Sequence, residues 1–145
     1  MQIAIIAGDR KKELMTQFCI AYCGILSNHK ICATGTTGRC ISEATGLDIE
    51  CLLSGTLGGV QQICSRVVYE EIDMLLFFRD SYENESLRER TELDLLRLCD
   101  IHNIPIATNI ATAELLVRAL DRGDFGWRDI INPNSEINCK KTETK

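Results

Sequence analysis

The chain has 145 residues, enough for one domain with a proper core, and its 45% hydrophobic and 26% charged residues are ordinary for a globular protein. A net charge of −5 excludes a general nucleic-acid-polymer binder, which needs a basic face, but leaves room for one small phosphorylated ligand held by a few local donors. No run of about 18 apolar residues exists, so no membrane-spanning helix is expected.

Met1-Gln2-Ile3-Ala4-Ile5-Ile6-Ala7 lacks the basic region and length of a signal peptide, so it reads as a first strand in a cytoplasmic protein. Further apolar runs predict buried strands over Ile3–Ala7, Ile31–Ala33, Met74–Phe78 and Ile104–Ala107, with a weaker candidate at Ile49–Leu53. Helical spacing follows them in Lys11–Ile25, Gly59–Glu70, Ser86–His102 and Thr112–Asp121. Strand followed by helix, repeated about five times, predicts a single doubly wound α/β domain. Its sheet is mainly parallel and five-stranded, with helices on both faces. The domain is expected over residues 1–126. Residues 127–145 form a polar C-terminal segment, irregular over Asn132–Lys145.

Eight cysteines suggest a disulfide framework only at first count. Cys19, Cys23, Cys40, Cys64 and Cys99 fall in helical patterns, and Cys32 and Cys51 in or beside strands, where cysteine acts as a small hydrophobe. No CxxC is present, so structural thiols are expected rather than a metal site, with Cys139 in the tail the most exposed. No cofactor is implied.

In doubly wound sheets, ligands bind at the carboxyl ends of the strands. Two loops there are rich in donors. Thr34-Gly35-Thr36-Thr37-Gly38 offers three hydroxyls and the N–H groups of a helix start, which suit an anion, although threonine at a helix start is also ordinary capping. Ser54-Gly55-x-x-Gly58-Gly59 follows the next strand and also enters a helix, so the two loops can converge on one phosphate. Lys12 adds a point charge or is solvated. Asp9 and Asp80 follow strands and are candidates for acid or base work, against capping or solvated-loop roles. Arg10, Arg39 and Arg79 each reach the crevice or lie in solvent, with Arg39, beside the threonine loop, the first to consider. The two histidines, His29 and His102, fall at the opposite edge, which argues against histidine-based chemistry.

Four motifs in order resemble the methylglyoxal synthase family: Ala33-Thr34-Gly35-Thr36-Thr37-Gly38, Leu53-Ser54-Gly55-x-x-Gly58-Gly59-x-Gln61-Gln62, Phe77-Phe78-x-Asp80, and Asn103-Ile104-Pro105-x-Ala107-Thr108-Asn109-x-Ala111-Thr112-Ala113. The resemblance runs from about Ile3 to Leu120. It implies a doubly wound fold, hexameric assembly, and conversion of dihydroxyacetone phosphate to methylglyoxal and phosphate. The reaction removes a proton and then loses phosphate from an enediolate. The same resemblance maps Lys12, Thr34, Thr36, Thr37, Ser54 and Gly55 onto the phosphate cradle, and Asp9 and Asp80 onto acidic active-site positions.

Three departures accompany it. The family has its catalytic aspartate where this chain has Val60, and a histidine where this chain has Gly8. The loop after Asp80 lacks the family's further histidine and aspartate, with Glu83, Glu85 and Glu89 as conceivable substitute bases. Losing a positioned general base lowers a rate on the order of 10²–10⁴-fold. The expectation is therefore a phosphate-ligand binder without catalysis, a sensor or sequestering protein for a metabolite or nucleotide-derived signal. The alternatives are a divergent methylglyoxal synthase, or a scaffold subunit in a mixed oligomer. Related domains of this fold bind nucleotides as regulatory modules of carbamoyl phosphate synthetase.

Overall fold

In the computed structural model, residues 1–80 and 86–128 are described, with side chains in the second stretch from residue 90 onward. In chain order the elements are β1 (Gln2–Ala7), a 3-10 turn (Asp9–Lys11), α1 (Lys12–Ala21), α2 (Cys23–Leu26), β2 (Lys30–Ala33), α3 (Gly35–Thr45) and β3 (Ile49–Cys51). A second 3-10 turn (Gly55–Leu57) leads to α4 (Gly59–Val68), β4 (Met74–Phe78), α5 (Ser86–Ile101), β5 (Ile106–Ala107) and α6 (Ile110–Asp121).

All strand pairs are parallel, in the order β3-β2-β1-β4-β5. The chain builds outward from β1 to β3, then crosses back to place β4 on the other side of β1. That reversal makes the carboxyl end of β1 the switch point, where a crevice opens. The register sets Ile3 beside Ile31 and Met74, and Ile5 beside Ala33 and Leu76.

Alternation along the strands divides the core in two. Ile3, Ile5, Ile31, Met74, Leu76 and Phe78 face one side, packed with Met15 and Phe18 of α1, Ile41 of α3 and Val117 of α6. Ala4, Ile6, Cys32, Leu75 and Phe77 face the other, covered by Val60, Ile63 and Val67 of α4 and Leu95 and Cys99 of α5. Strands apolar on both faces are what a sheet covered on both sides requires. Each fully buried aliphatic side chain contributes roughly 1.5–3 kcal/mol.

Several boundaries differ from the sequence expectation for local reasons. The helix expected over Lys11–Ile25 is broken at Tyr22, between α1 and α2. The strand expected from Ile104 begins at Ile106, because the Ile104 N–H caps α5 by donating to the Cys99 carbonyl and Pro105 has no N–H. The strand expected over Ile49–Leu53 ends at Cys51, and the Leu53 N–H donates to the Gln62 side chain at 2.8 Å.

Packing does not stop at residue 126. Arg128 is 1% exposed, its guanidinium donating to the carbonyls of Asn103 and Ile72 beside the Asp73 carboxylate. Asn132–Lys145 and Cys139 lie outside the described residues. The seven described cysteines carry free thiols. No helix among the described residues is long and apolar enough to cross a membrane.

Candidate active site

A pocket opens at the carboxyl ends of β1, β2 and β4, at the switch point. Its volume is about 100 Å³. On the same kind of measure one water takes roughly 10–15 Å³, so the space suits a handful of waters or one small phosphorylated molecule.

The threonine loop forms one wall through Thr34, Thr36 and Thr37. Thr34 is the N-cap of α3, yet its side chain makes no capping bond, so the expected capping role is not taken up. Thr37 is 1% exposed, and its Oγ1 has no hydrogen-bond partner in the protein. An orphaned buried hydroxyl costs roughly 1–3 kcal/mol, which an anion oxygen at this wall would offset. The start of α3 adds N–H groups and the positive end of the helix dipole.

The second loop contributes Ser54, Gly55 and Thr56, with the Ser54 and Thr56 hydroxyls 3.3 Å apart. Gln62 holds this loop from α4 through Leu53. The two donor-rich loops therefore meet in one pocket. Four of the glycines shape the backbone of these loops. The Gly35 N–H is committed to the Leu53 carbonyl, and the Gly59 N–H to that of Ser54. A side chain at Gly38 would begin 2.8 Å from Cys51 Sγ, so Gly38 lets α3 approach β3. Gly58 has φ +101°, the left-handed conformation from which α4 starts.

Lys12 lines the pocket, but its ammonium is 2.8 Å from Asp9 Oδ1 and 3.3 Å from the Ala7 carbonyl. Asp80 also lines it, mostly buried, and accepts the Arg10 N–H at 3.3 Å. Gly8 sits between the two acids and closes the turn by donating its N–H to the Phe78 carbonyl. Val60, in the first turn of α4, forms an apolar part of the wall with Ile6 and Phe77. Arg39 is exposed on α3, away from the pocket lining, whereas Arg79 reaches toward Glu92. His29 bonds to the amino terminus of Met1, and His102 to Glu70 at 2.7 Å; neither lines the pocket.

Glu92 of α5 is a pocket residue that sequence reasoning missed, as is Thr56 of the second loop. Glu92 lines the pocket, with Arg79 Nε 3.5 Å from its Oε2. Its signal was periodicity. Glu92 lies three residues before Leu95 and seven before Cys99, both buried, so a carboxylate occupies the core-facing stripe of α5. Glu83 and Glu85, and the side chain of Glu89, lie outside the described residues.

Among the described residues the pocket thus gathers three carboxylates, Asp9, Asp80 and Glu92, beside an orphaned hydroxyl. A site built only to hold a phosphate dianion gains nothing from three further negative charges, since like charges at close range repel. A site that moves a proton needs one of them.

The chain matches the family model described as MGS-like domain over residues 17–108. Methylglyoxal synthase from Caldicellulosiruptor saccharolyticus is 59% identical over 138 residues, covering 95% of this chain and 97% of that one. The methylglyoxal synthase of Oceanobacillus iheyensis is 51% identical over 136 residues, covering 94% and 96%. Among solved structures, methylglyoxal synthase from Elizabethkingia anophelis NUHP1 superposes with a TM-score of 0.71 at 33% identity, over 80% of this chain and 76% of that one. The chain belongs to the methylglyoxal synthase family. The expectation of a binder without catalysis is thereby corrected. Relatives 45–59% identical over nearly their whole length are methylglyoxal synthases by name, which favours the enzyme that stood as the alternative.

Proposed function

We propose that this chain is a methylglyoxal synthase, a carbon–oxygen lyase that converts dihydroxyacetone phosphate to methylglyoxal and inorganic phosphate. The observation that carries the reading is the orphaned Thr37 hydroxyl, set in a pocket of about 100 Å³ that also contains carboxylates. The hydroxyls of Thr34, Thr36, Thr37, Ser54 and Thr56, with the α3 N-terminus, hold the phosphate group. Lys12, which lines the same pocket and bridges to Asp9, supplies a positive charge.

A carboxylate at the other side takes a proton from the carbon next to the ketone, and the enediolate so formed expels phosphate. Donors gathered around the phosphate stabilise the charge it carries away. A phosphorylated triose does not cross membranes unaided, so the reading places the protein in the cytoplasm.

Self-association belongs to the same reading. The resemblance suggests a hexamer, and Leu57, Tyr69 and Leu115 are exposed apolar side chains that a subunit contact could cover.

Steady-state kinetics test the function. Methylglyoxal release from dihydroxyacetone phosphate, competitively inhibited by inorganic phosphate, is the expected result. Absence of release, or release indifferent to phosphate, overturns the reading.

A further inference from the structure

We propose that Glu92 is the general base of this site, taking the proton that starts the reaction. The proposal rests on the lyase reading above and names the group that performs its first step.

Among the described residues three acids line the pocket, and their surroundings separate them. Asp9 is largely exposed at the rim, its side chain 70% accessible, and bridges to Lys12 at 2.8 Å on the wall assigned to phosphate. Asp9 is thus paired with a cation and open to solvent. Asp80 is packed against the β1 turn, accepting the Arg10 N–H, with its Cβ in the space a side chain at position 8 would need. That placement makes Asp80 part of the scaffold under Gly8.

Glu92 enters from a different element. It projects from α5, the helix packed on α4, and lines the pocket together with Val60 of α4 and Phe77 of β4. Glu92 thus shares its cleft with these apolar side chains rather than standing on an open surface. The side chain is 18% exposed, and Arg79 lies 3.5 Å away through Nε, a buried nitrogen with no hydrogen-bond partner. A loose ion pair orients the carboxylate yet leaves oxygen lone pairs for a proton. Arg79 is a positioning residue in this arrangement.

The step balances without any outside oxidant or reductant. Glu92 takes the proton from the hydroxymethyl carbon, and the C–H electron pair becomes the carbon–carbon double bond of the enediolate. The carbonyl oxygen takes the negative charge. Phosphate then leaves with the electron pair of its C–O bond and with the hydroxyl proton. Meanwhile an aldehyde forms at the former hydroxymethyl carbon and the double bond moves to the terminal methylene. The proton held by Glu92 is returned at that methylene, giving the methyl group of methylglyoxal and regenerating the carboxylate.

The test compares the unmodified chain with Glu92→Gln, Glu92→Asp and Asp9→Asn, measuring kcat, KM and the rise in melting temperature given by inorganic phosphate. Glu92→Gln is expected to lower kcat on the order of 10²–10⁴-fold while leaving KM and the phosphate-induced shift near the unmodified values. Glu92→Asp keeps the charge facing Arg79 but retracts it by one methylene, and is expected to fold and to give an intermediate kcat. It decides the matter should the glutamine variant not fold. Full kcat in Glu92→Gln, or full kcat in Glu92→Asp with its loss in Asp9→Asn, overturns the assignment while leaving the lyase reading intact. An unmodified chain that binds phosphate but turns nothing over defeats both.

Discussion

Gly8 and Asp80 compete for one volume: a Cβ built at Gly8 would lie 2.5 Å from Asp80 Cβ and 3.1 Å from Asp80 N. The absent side chain at position 8 is what allows the end of β4 to close against the end of β1.

Gly8→Ala is therefore expected to destabilise the protein by about 1–3 kcal/mol, the usual range for overpacking a close contact. Chemical denaturation measures it. The same substitution in an Asp80→Gly background is expected to cost clearly less, because residues in contact couple. Equal losses in the two backgrounds contradict the shared-volume account.

Thr37→Val removes the orphaned hydroxyl while keeping its shape. The ligand-free protein is expected to be as stable as the parent or slightly more so, since no bond is lost. Affinity for inorganic phosphate is expected to fall roughly 10- to 100-fold, the equivalent of about 1.5–3 kcal/mol for a hydrogen bond to a charged group. Calorimetric titration checks it. Unchanged phosphate affinity removes Thr37 from the cradle.

Arg128 ties the chain beyond α6 to the amino-terminal ends of the sheet strands. Its side chain and that of Asp73 are only 2% and 4% accessible, and Asp73 also accepts the Gln2 N–H at 2.9 Å. Arg128→Met leaves the Asp73 charge buried without its cation, with an expected loss of about 3–5 kcal/mol. Adding Asp73→Asn is expected to recover part of that loss. A change under 1 kcal/mol in the single variant contradicts the latch.

The thiols separate by burial. Desolvation pushes Cys19 and Cys99 up to about 12 and Cys32 up to about 11. A thiol at 12 is ionised to only about one part in 10⁴ at pH 8, and the thiolate is the nucleophile. Raising the pH toward 11 increases that fraction, so labelling of these sites rises with pH. Alkylation at pH 8 followed by peptide mapping is expected to mark exposed Cys51 and to spare Cys19, Cys32 and Cys99 until the protein unfolds. Rapid labelling of Cys19 in the folded protein contradicts the packing.

Most of the fold was legible because the central strands are short apolar runs with no competing reading. Ile3–Ala7 and Met74–Phe78 are buried on both faces and appear at or within one residue of their expected bounds. The edges were harder. At β5, Pro105 and the cap at Ile104 shorten the strand, and at Tyr22 the break between α1 and α2 has no glycine or proline to mark it. The two donor-rich loops were readable from hydroxyl and glycine content. Glu92 was not, because its role depends on how α5 packs on α4, and sequence reading attended to the loop before the helix instead. Val60 drew attention to a missing charge, while Glu92, which shares its pocket, lies 32 residues further along the chain.

The most direct measurement is a phosphorus NMR time course of dihydroxyacetone phosphate with the purified, unmodified protein, followed in parallel by proton NMR. The account expects the phosphate-ester signal to be replaced by inorganic phosphate while methylglyoxal appears in equal amount, faster than in a protein-free control. An ester signal that decays no faster than in the control, in a sample whose melting temperature nevertheless rises with phosphate, would contradict the central claim.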